Sequence, residues 1–110
     1  KPPDFTEVPG LIKKAFSECK NQHPVIAAAE RHLIVANIHP FVDGNGRTAR
    51  LMMNFHMLKR GFPVVSIPPI VRAKYIAACD QGSRGNKEKF YEFITSQVIE
   101  AQRDYMRLLA

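Results

Sequence analysis

The sequence predicts an all-α domain with a short extended arm at its N-terminus. Apolar residues recur at helical spacing in five successive stretches, and Pro and Gly fall between those stretches rather than inside them. The 110 residues, 45% hydrophobic and 24% charged, suffice for one core. A chain of this length removes about 65% of its unfolded surface from water on folding, so no disulfide or structural metal is needed.

The elements follow in order. Residues 1–8, Lys-Pro-Pro-Asp-Phe-Thr-Glu-Val, are expected to be extended, because Pro2 and Pro3 remove donors and restrict their predecessors. From Pro9 the apolar positions Leu11, Ile12, Ala15, Phe16 and Cys19 mark a first amphipathic helix, with Asn21 as its stop. His23-Pro24 restarts the chain. Val25 to Ile38 is apolar almost all round apart from Glu30, Arg31, His32 and Asn37, the pattern of a central buried helix that Pro40 must end at or before His39.

Phe41 to Gly46 reads as a tight turn, its two glycines offering positive φ. A third helix over Arg47–Arg60 sets Leu51, Met52, Phe55 and Leu58 on one side and Arg47, Arg50 and Asn54 on another, with Gly61 just past its end. Met52, Met53 and Met57 suit packing. Pro63 to Pro69 is a rigid connector with three prolines. A fourth helix covers Ile70–Cys79, a Gly/Ser/Asn loop Asp80–Asn86, and a last helix Lys87–Leu109 with Phe90, Ile94, Val98, Ala101, Tyr105 and Leu108 along one face.

Sixteen Lys and Arg against ten Asp and Glu give a net charge of +6. That suits an anionic partner, but the basic residues come in short runs interrupted by acids, as on ordinary solvated faces. No aromatic-interleaved basic stripe supports nucleic-acid binding. Cys19 and Cys79 are 60 residues apart, without C-x-x-C spacing or a paired His, which excludes a zinc knuckle or thioredoxin-type motif. Two free thiols read as a reducing compartment, the cytosol first, although a secreted effector remains an alternative. The longest aliphatic run, Val25 to Ala29, is too short to cross a bilayer. Opening on Lys1 rather than Met, the chain reads as an excised or processed piece.

The chemistry concentrates between His39 and Arg50. A glycine-bearing turn that feeds a helix offers backbone N–H groups at the positive end of the helix dipole, a site for phosphate oxygens. Gly44 and Gly46 let the backbone approach an anion, and Arg47 and Arg50, three residues apart, can reach one polyphosphate together. Asp43 offers the hard oxygen that Mg²⁺ bridging two phosphates requires, and the His39 imidazole can deprotonate an incoming hydroxyl. Base, metal ligand, amide cradle and arginines together point to phosphoryl or nucleotidyl transfer. Taken singly, each residue suits a tight turn with surface arginines; the functional reading rests on their conjunction. Calcium binding of the EF-hand kind is excluded by Thr48 and Asn54 at the sixth and twelfth positions counted from Asp43, and a Walker A loop by the missing Gly-Lys-Ser/Thr ending.

His39-Pro-Phe-Val-Asp-Gly-Asn-Gly-Arg-Thr-Ala-Arg50 resembles the Fic-domain signature H-x-F-x-(D/E)-G-N-G-R-x-x-R at all eight specified positions. His23-Pro24, Leu51 to Asn54, Gly61-Phe-Pro63, and Arg72 with Tyr75 extend the likeness along the chain. The resemblance implies a Fic-fold helical bundle whose flap remnant is residues 1–8 and whose active-site loop is 39–50. It implies protein AMP transfer from ATP with Mg²⁺: His39 the general base, Asp43 the metal ligand, Gly44, Asn45, Gly46 and Arg47 the phosphate cradle, and Arg50 the ligand of the terminal phosphate. Tyr75 would touch the nucleotide, Asn54 would brace the loop, and Phe41 would anchor it in the core. Gly46 stands where the Doc branch carries Lys, which disfavours phosphotransfer. Transfer of another nucleotide, removal of AMP and a catalytically silent nucleotide-binding module are the alternatives.

As partner the resemblance implies a protein substrate paired through the flap. Restraint would come from an inhibitory helix, an antitoxin-like partner or a second copy. Ser96 to Ala101 matches the inhibitory motif only in part, so Glu100 is expected to be an ordinary exposed residue. His23, His32 and His56 have no metal-ligand spacing and are expected to be structural.

Overall fold

The computed structural model describes residues 5–18, 22–38 and 44–109. Among the described residues there are five α-helices: α1 (Val8–Glu18), α2 (Pro24–Ile38), α3 (Asn45–Lys59), α4 (Arg72–Ser83) and α5 (Glu88–Leu109). No strand occurs among the described residues. The helix stop expected at Asn21 and the Cys19 thiol lie outside them, as do residues 1–4.

The N-terminus departs from the extended arm expected over residues 1–8. Phe5–Glu7 form a 3-10 turn that runs straight into α1 at Val8. The prolines at 2 and 3 restrict only themselves and their predecessors, and Pro9 sits in the first turn of α1, where its missing N–H is no loss.

α2 is the axis of the bundle and packs against α1, α3, α4 and α5. Its alanines at 27, 28 and 29 are at most 2% exposed, and Leu33 and Val35 are buried with them. Small side chains let neighbouring helices approach closely. His23 is its N-cap, accepting the Val25 N–H on Nδ1 at 3.2 Å, so one expected structural histidine has a defined task. Glu30 joins α2 to α5, accepting from Lys87 Nζ at 2.7 Å and from the Tyr91 hydroxyl.

α3 buries Met53 and Met57, as their spacing predicts, but leaves the row of Leu51, Phe55 and Leu58 uncovered. Ala49, Met53, His56 and Met57 are buried, whereas Leu51, Phe55 and Leu58 are 59–70% exposed. Two apolar rows run along this helix, and only the row opposite α2 finds a partner. The helix ends on Gly61 at φ 84°, with Gly61 N–H donating to the Leu58 carbonyl and Phe62 N–H to the Met57 carbonyl, the paired bonds of a Schellman stop. Asn54 braces the Pro63–Pro69 connector. Its Oδ1 accepts from the Val65 N–H at 2.8 Å and its Nδ2 donates to the Val65 carbonyl at 3.1 Å.

A 3-10 turn over Pro69–Val71 leads into α4, which continues four residues past the expected end at Cys79. Gly82 lies inside the helix, where a Cβ would stand 2.8 Å from Leu33 Cδ2, so glycine here permits the close crossing of α2 and α4. The stop falls on Gly85, at φ 95°. Cys79 is free and half-buried.

Phe90, Phe93, Ile94 and Val98 of α5 complete the core with Val65, Tyr75 and Ala78. The stripe expected to continue through Tyr105 and Leu108 leaves the bundle, these two being 60% and 85% exposed. Among the described residues no helix is long and apolar enough to cross a membrane.

Asn54→Ala tests the connector brace. It strands the N–H of buried Val65, and the expected loss is about 2 kcal/mol, read from the midpoint of urea unfolding.

Candidate functional site: the N-terminus of the third helix

His39, Phe41 and Asp43 lie outside the described residues, in sequence between the end of α2 at Ile38 and the start of α3 at Asn45. Gly44 is the N-cap of α3, at φ 76° and ψ 12°, a left-handed conformation open to glycine. Asn45 and Gly46, expected in the turn, belong to the first turn of the helix, and Gly46 has no positive φ.

The first intrahelical bond runs from the Thr48 N–H to the Gly44 carbonyl at 3.0 Å. Gly46 and Arg47 precede it, in the turn whose amides a helix leaves without internal acceptors. Gly44 has no side chain to cap them, and the first turn carries no acid.

The glycines serve the arginines as well. A Cβ on Gly44 would meet Arg47 Nη2 at 3.2 Å, and one on Gly46 would meet Arg50 Nη1 at 3.3 Å. Both guanidiniums therefore fold back toward the start of the helix, the direction in which long helical side chains lean. Two full positive charges thus gather at the positive end of the α3 dipole, an arrangement that favours an anion strongly.

Arg50 is held from the other side. Its Nη1 donates to the Tyr75 hydroxyl at 3.2 Å, and its guanidinium carbon lies 5.8 Å from the centre of the Tyr75 ring. That hydroxyl is 2.7 Å from His32 Nε2. Tyr75 is 6% exposed, its ring packed against His32 and Phe93, and it lies beside Arg50. The core needed an aromatic at this point, and burial turned the polar tip toward the arginine.

His32 is 1% exposed, and its pKa is lowered to about 4 by burial first and by the Arg50 charge second. Burial raises the Tyr75 pKa, with Arg50 opposing, and keeps the phenol protonated. Burial likewise raises the Cys79 thiol. His56 is also buried, and its pKa is lowered by burial and by Arg31, Arg60 and Lys59. Sequence reasoning gave His32 a structural place and missed its link to Arg50. No local signal exists for it, since 43 residues separate His32 from Tyr75.

Glu100 is exposed and pairs with Arg103 at 3.0 Å along its own helix. Among the described residues no three His, Cys, Asp or Glu are grouped to hold a metal.

This fold and helix terminus have known relatives. The family model of the Fic/DOC family matches residues 1–57. The protein adenylyltransferase Fic of Drosophila melanogaster is 46% identical over 72 residues, covering 66% of this chain and 15% of the relative; that of Drosophila ananassae is 43% identical over 74 residues, 67% and 15%. Fic-1 of C. elegans superposes with a TM-score of 0.80 at 32% identity, over 90% of this chain and 31% of that structure. A Fic-domain-containing signaling protein from Bacteroides thetaiotaomicron, at 24% identity and a TM-score of 0.74, shares the fold over 92% of this chain and 45% of its own. The chain belongs to the Fic/DOC family. It spans about 15% of the length of the curated relatives it matches.

The buried imidazole has a consequence for stability. With the folded pKa near 4 and the unfolded value 6.5, the unfolded chain binds the extra proton between the two. Stability attributable to His32 is therefore intact above pH 6.5 and is lost as pH falls from there through 4, by about 3 kcal/mol in all. Urea midpoints measured across this range are expected to fall steeply for the native protein and less steeply for His32→Gln.

Proposed function

We propose that this chain carries an Mg-ATP-dependent protein adenylyltransferase activity, moving AMP from ATP to a Ser, Thr or Tyr hydroxyl of a target protein. The observation that carries the reading is the start of α3, where a left-handed Gly44, a first turn without acid and two back-folded guanidiniums converge. The matched relatives named protein adenylyltransferase Fic and the complete motif of residues 39–50 support it.

In this reading His39 takes the proton of the target hydroxyl as its oxygen attacks the α-phosphorus. The bond from that phosphorus to the oxygen bridging the β-phosphate breaks, and pyrophosphate leaves. Gly44, Asn45, Gly46 and Arg47 bind the departing phosphates, and Arg50 binds the terminal one. Charge growing on the leaving oxygen meets amides and arginines already in position, a contribution of several kcal/mol per well-placed group.

Asp43 is the one carboxylate of the 39–50 motif, a donor set that suits Mg²⁺, which is held by one or two carboxylates together with substrate phosphates. The ion would neutralise phosphate charge there. The target segment would dock by backbone pairing near residues 1–4. The cradle reads phosphates rather than the base, so the choice among nucleotides is made elsewhere.

Incubation of the protein with α-labelled ATP and a cell lysate should transfer label to protein, and His39→Ala should abolish the transfer. Label that persists in this variant would remove His39 from the role of base. Gly46→Ala separates folding from binding. A helical Gly→Ala change gains up to about 1 kcal/mol of stability, while the new methyl displaces Arg50, so unfolding midpoints are expected to rise and ATP affinity to drop in the same variant.

A further inference from the structure

The contact between His32, Tyr75 and Arg50 has one arrangement of protons in which every hydrogen meets a strong acceptor. A guanidinium can donate but never accept, so the Tyr75 oxygen must accept from Arg50 Nη1, 3.2 Å away. The phenol has a single hydrogen left, and the nearest strong acceptor is His32 Nε2 at 2.7 Å. For Nε2 to accept, its lone pair must be free, and the imidazole proton must sit on Nδ1. Nδ1 is buried with no partner in hydrogen-bond geometry, and the His32 backbone beside the ring favours its holding a proton. The Tyr75 side makes the same choice.

We propose that His32 is a positioning residue for Arg50: as the neutral Nδ1–H tautomer it holds the Tyr75 hydroxyl hydrogen and thereby turns the oxygen lone pairs toward the guanidinium. The chain of donors runs from Arg50 on α3 to Tyr75 on α4 to His32 on α2. It fixes the second arginine of the cradle from beneath, leaving its remaining N–H groups for an anion above Gly46. An imidazolium at this place would present Nε2–H to the phenol, swing the hydroxyl hydrogen toward a group that cannot accept it, and set a second positive charge beside Arg50. The side chains facing the ring disfavour that state, with only the His32 backbone acting the other way: Phe90, with its centroid 4.7 Å away, offers no counter-charge, Tyr75 is neutral and Arg50 is cationic. The lowered pKa of His32 agrees with this geometry. Cys79, one turn beyond Tyr75, has a thiol that can compete for the hydroxyl hydrogen only weakly.

The inference rests on the reading of Arg50 as the ligand of the terminal phosphate, and its test separates the two. Long-range ¹H–¹⁵N spectra of the nucleotide-free protein should show His32 protonated at Nδ1 and bare at Nε2. The Arg50 guanidinium should rotate more slowly in the native protein than in Tyr75→Phe. Calorimetric titration with ATP and AMP should then show the ratio of ATP to AMP affinity falling about tenfold in Tyr75→Phe, the size of one charge-assisted hydrogen bond lost. An Nε2–H tautomer at neutral pH, or equal guanidinium rotation in the two proteins, overturns the proposal. So does an affinity ratio left unchanged by Tyr75→Phe. A native protein with the expected tautomer and slowed guanidinium that binds neither nucleotide would sink the reading of the cradle while sustaining the relay.

Discussion

The close packing of α3 on α2 sets where everything else can be. Ala28 and Ala29 on one helix and Ala49, Met53 and Met57 on the other are shielded from solvent completely, so the two axes approach as nearly as short side chains allow. The close packing also sets where the end of α2 and the start of α3 lie. α4 and α5 close over α2 and supply the aromatic rings that fill the space left by its alanines. Gly82 serves the same end, since a methyl there would collide with Leu33 in a core that has no room to yield.

Electrostatics at the head of α3 run against ordinary helix practice. Acids are favoured in a first turn and bases in a last one. Here the first turn has no acid, Arg47 and Arg50 lean toward it, and the cap is a glycine that contributes no side-chain acceptor. The protein accepts this unfavourable charge distribution at one end of one helix and keeps it rigid. Buried Tyr75 and His32 take part in that rigidity without adding charge, one phenol kept protonated and one imidazole kept neutral by the same desolvation. A binding site for a polyphosphate needs such preorganisation, because donors already in place lose little freedom when the anion arrives.

Membership of the Fic/DOC family and the complete motif agree with this electrostatic account while resting on different observations. The family assignment comes from likeness across residues 1–57 and from a shared fold. The cradle comes from φ 76° at Gly44 and the two glycine–arginine contacts. The exposed row of Leu51, Phe55 and Leu58 stands apart from both, on the side of α3 turned away from α2.

Sequence alone determined the features governed by neighbours a few residues away. The helical class, the breaks near His23-Pro24 and Gly61, the twelve-residue motif and the buried character of α2 all follow from local periodicity, proline sterics and glycine conformation. Tertiary structure decided what depends on residues far apart in the chain. Which apolar row of α3 is buried, why Asn54 binds Val65 eleven positions on, and how Tyr75 comes to lie between His32 and Arg50 were settled only when the helices packed. A side chain's periodicity states that it has a face; only the neighbour that arrives decides whether the face is covered, and which hydrogen-bond partner a buried polar tip will find.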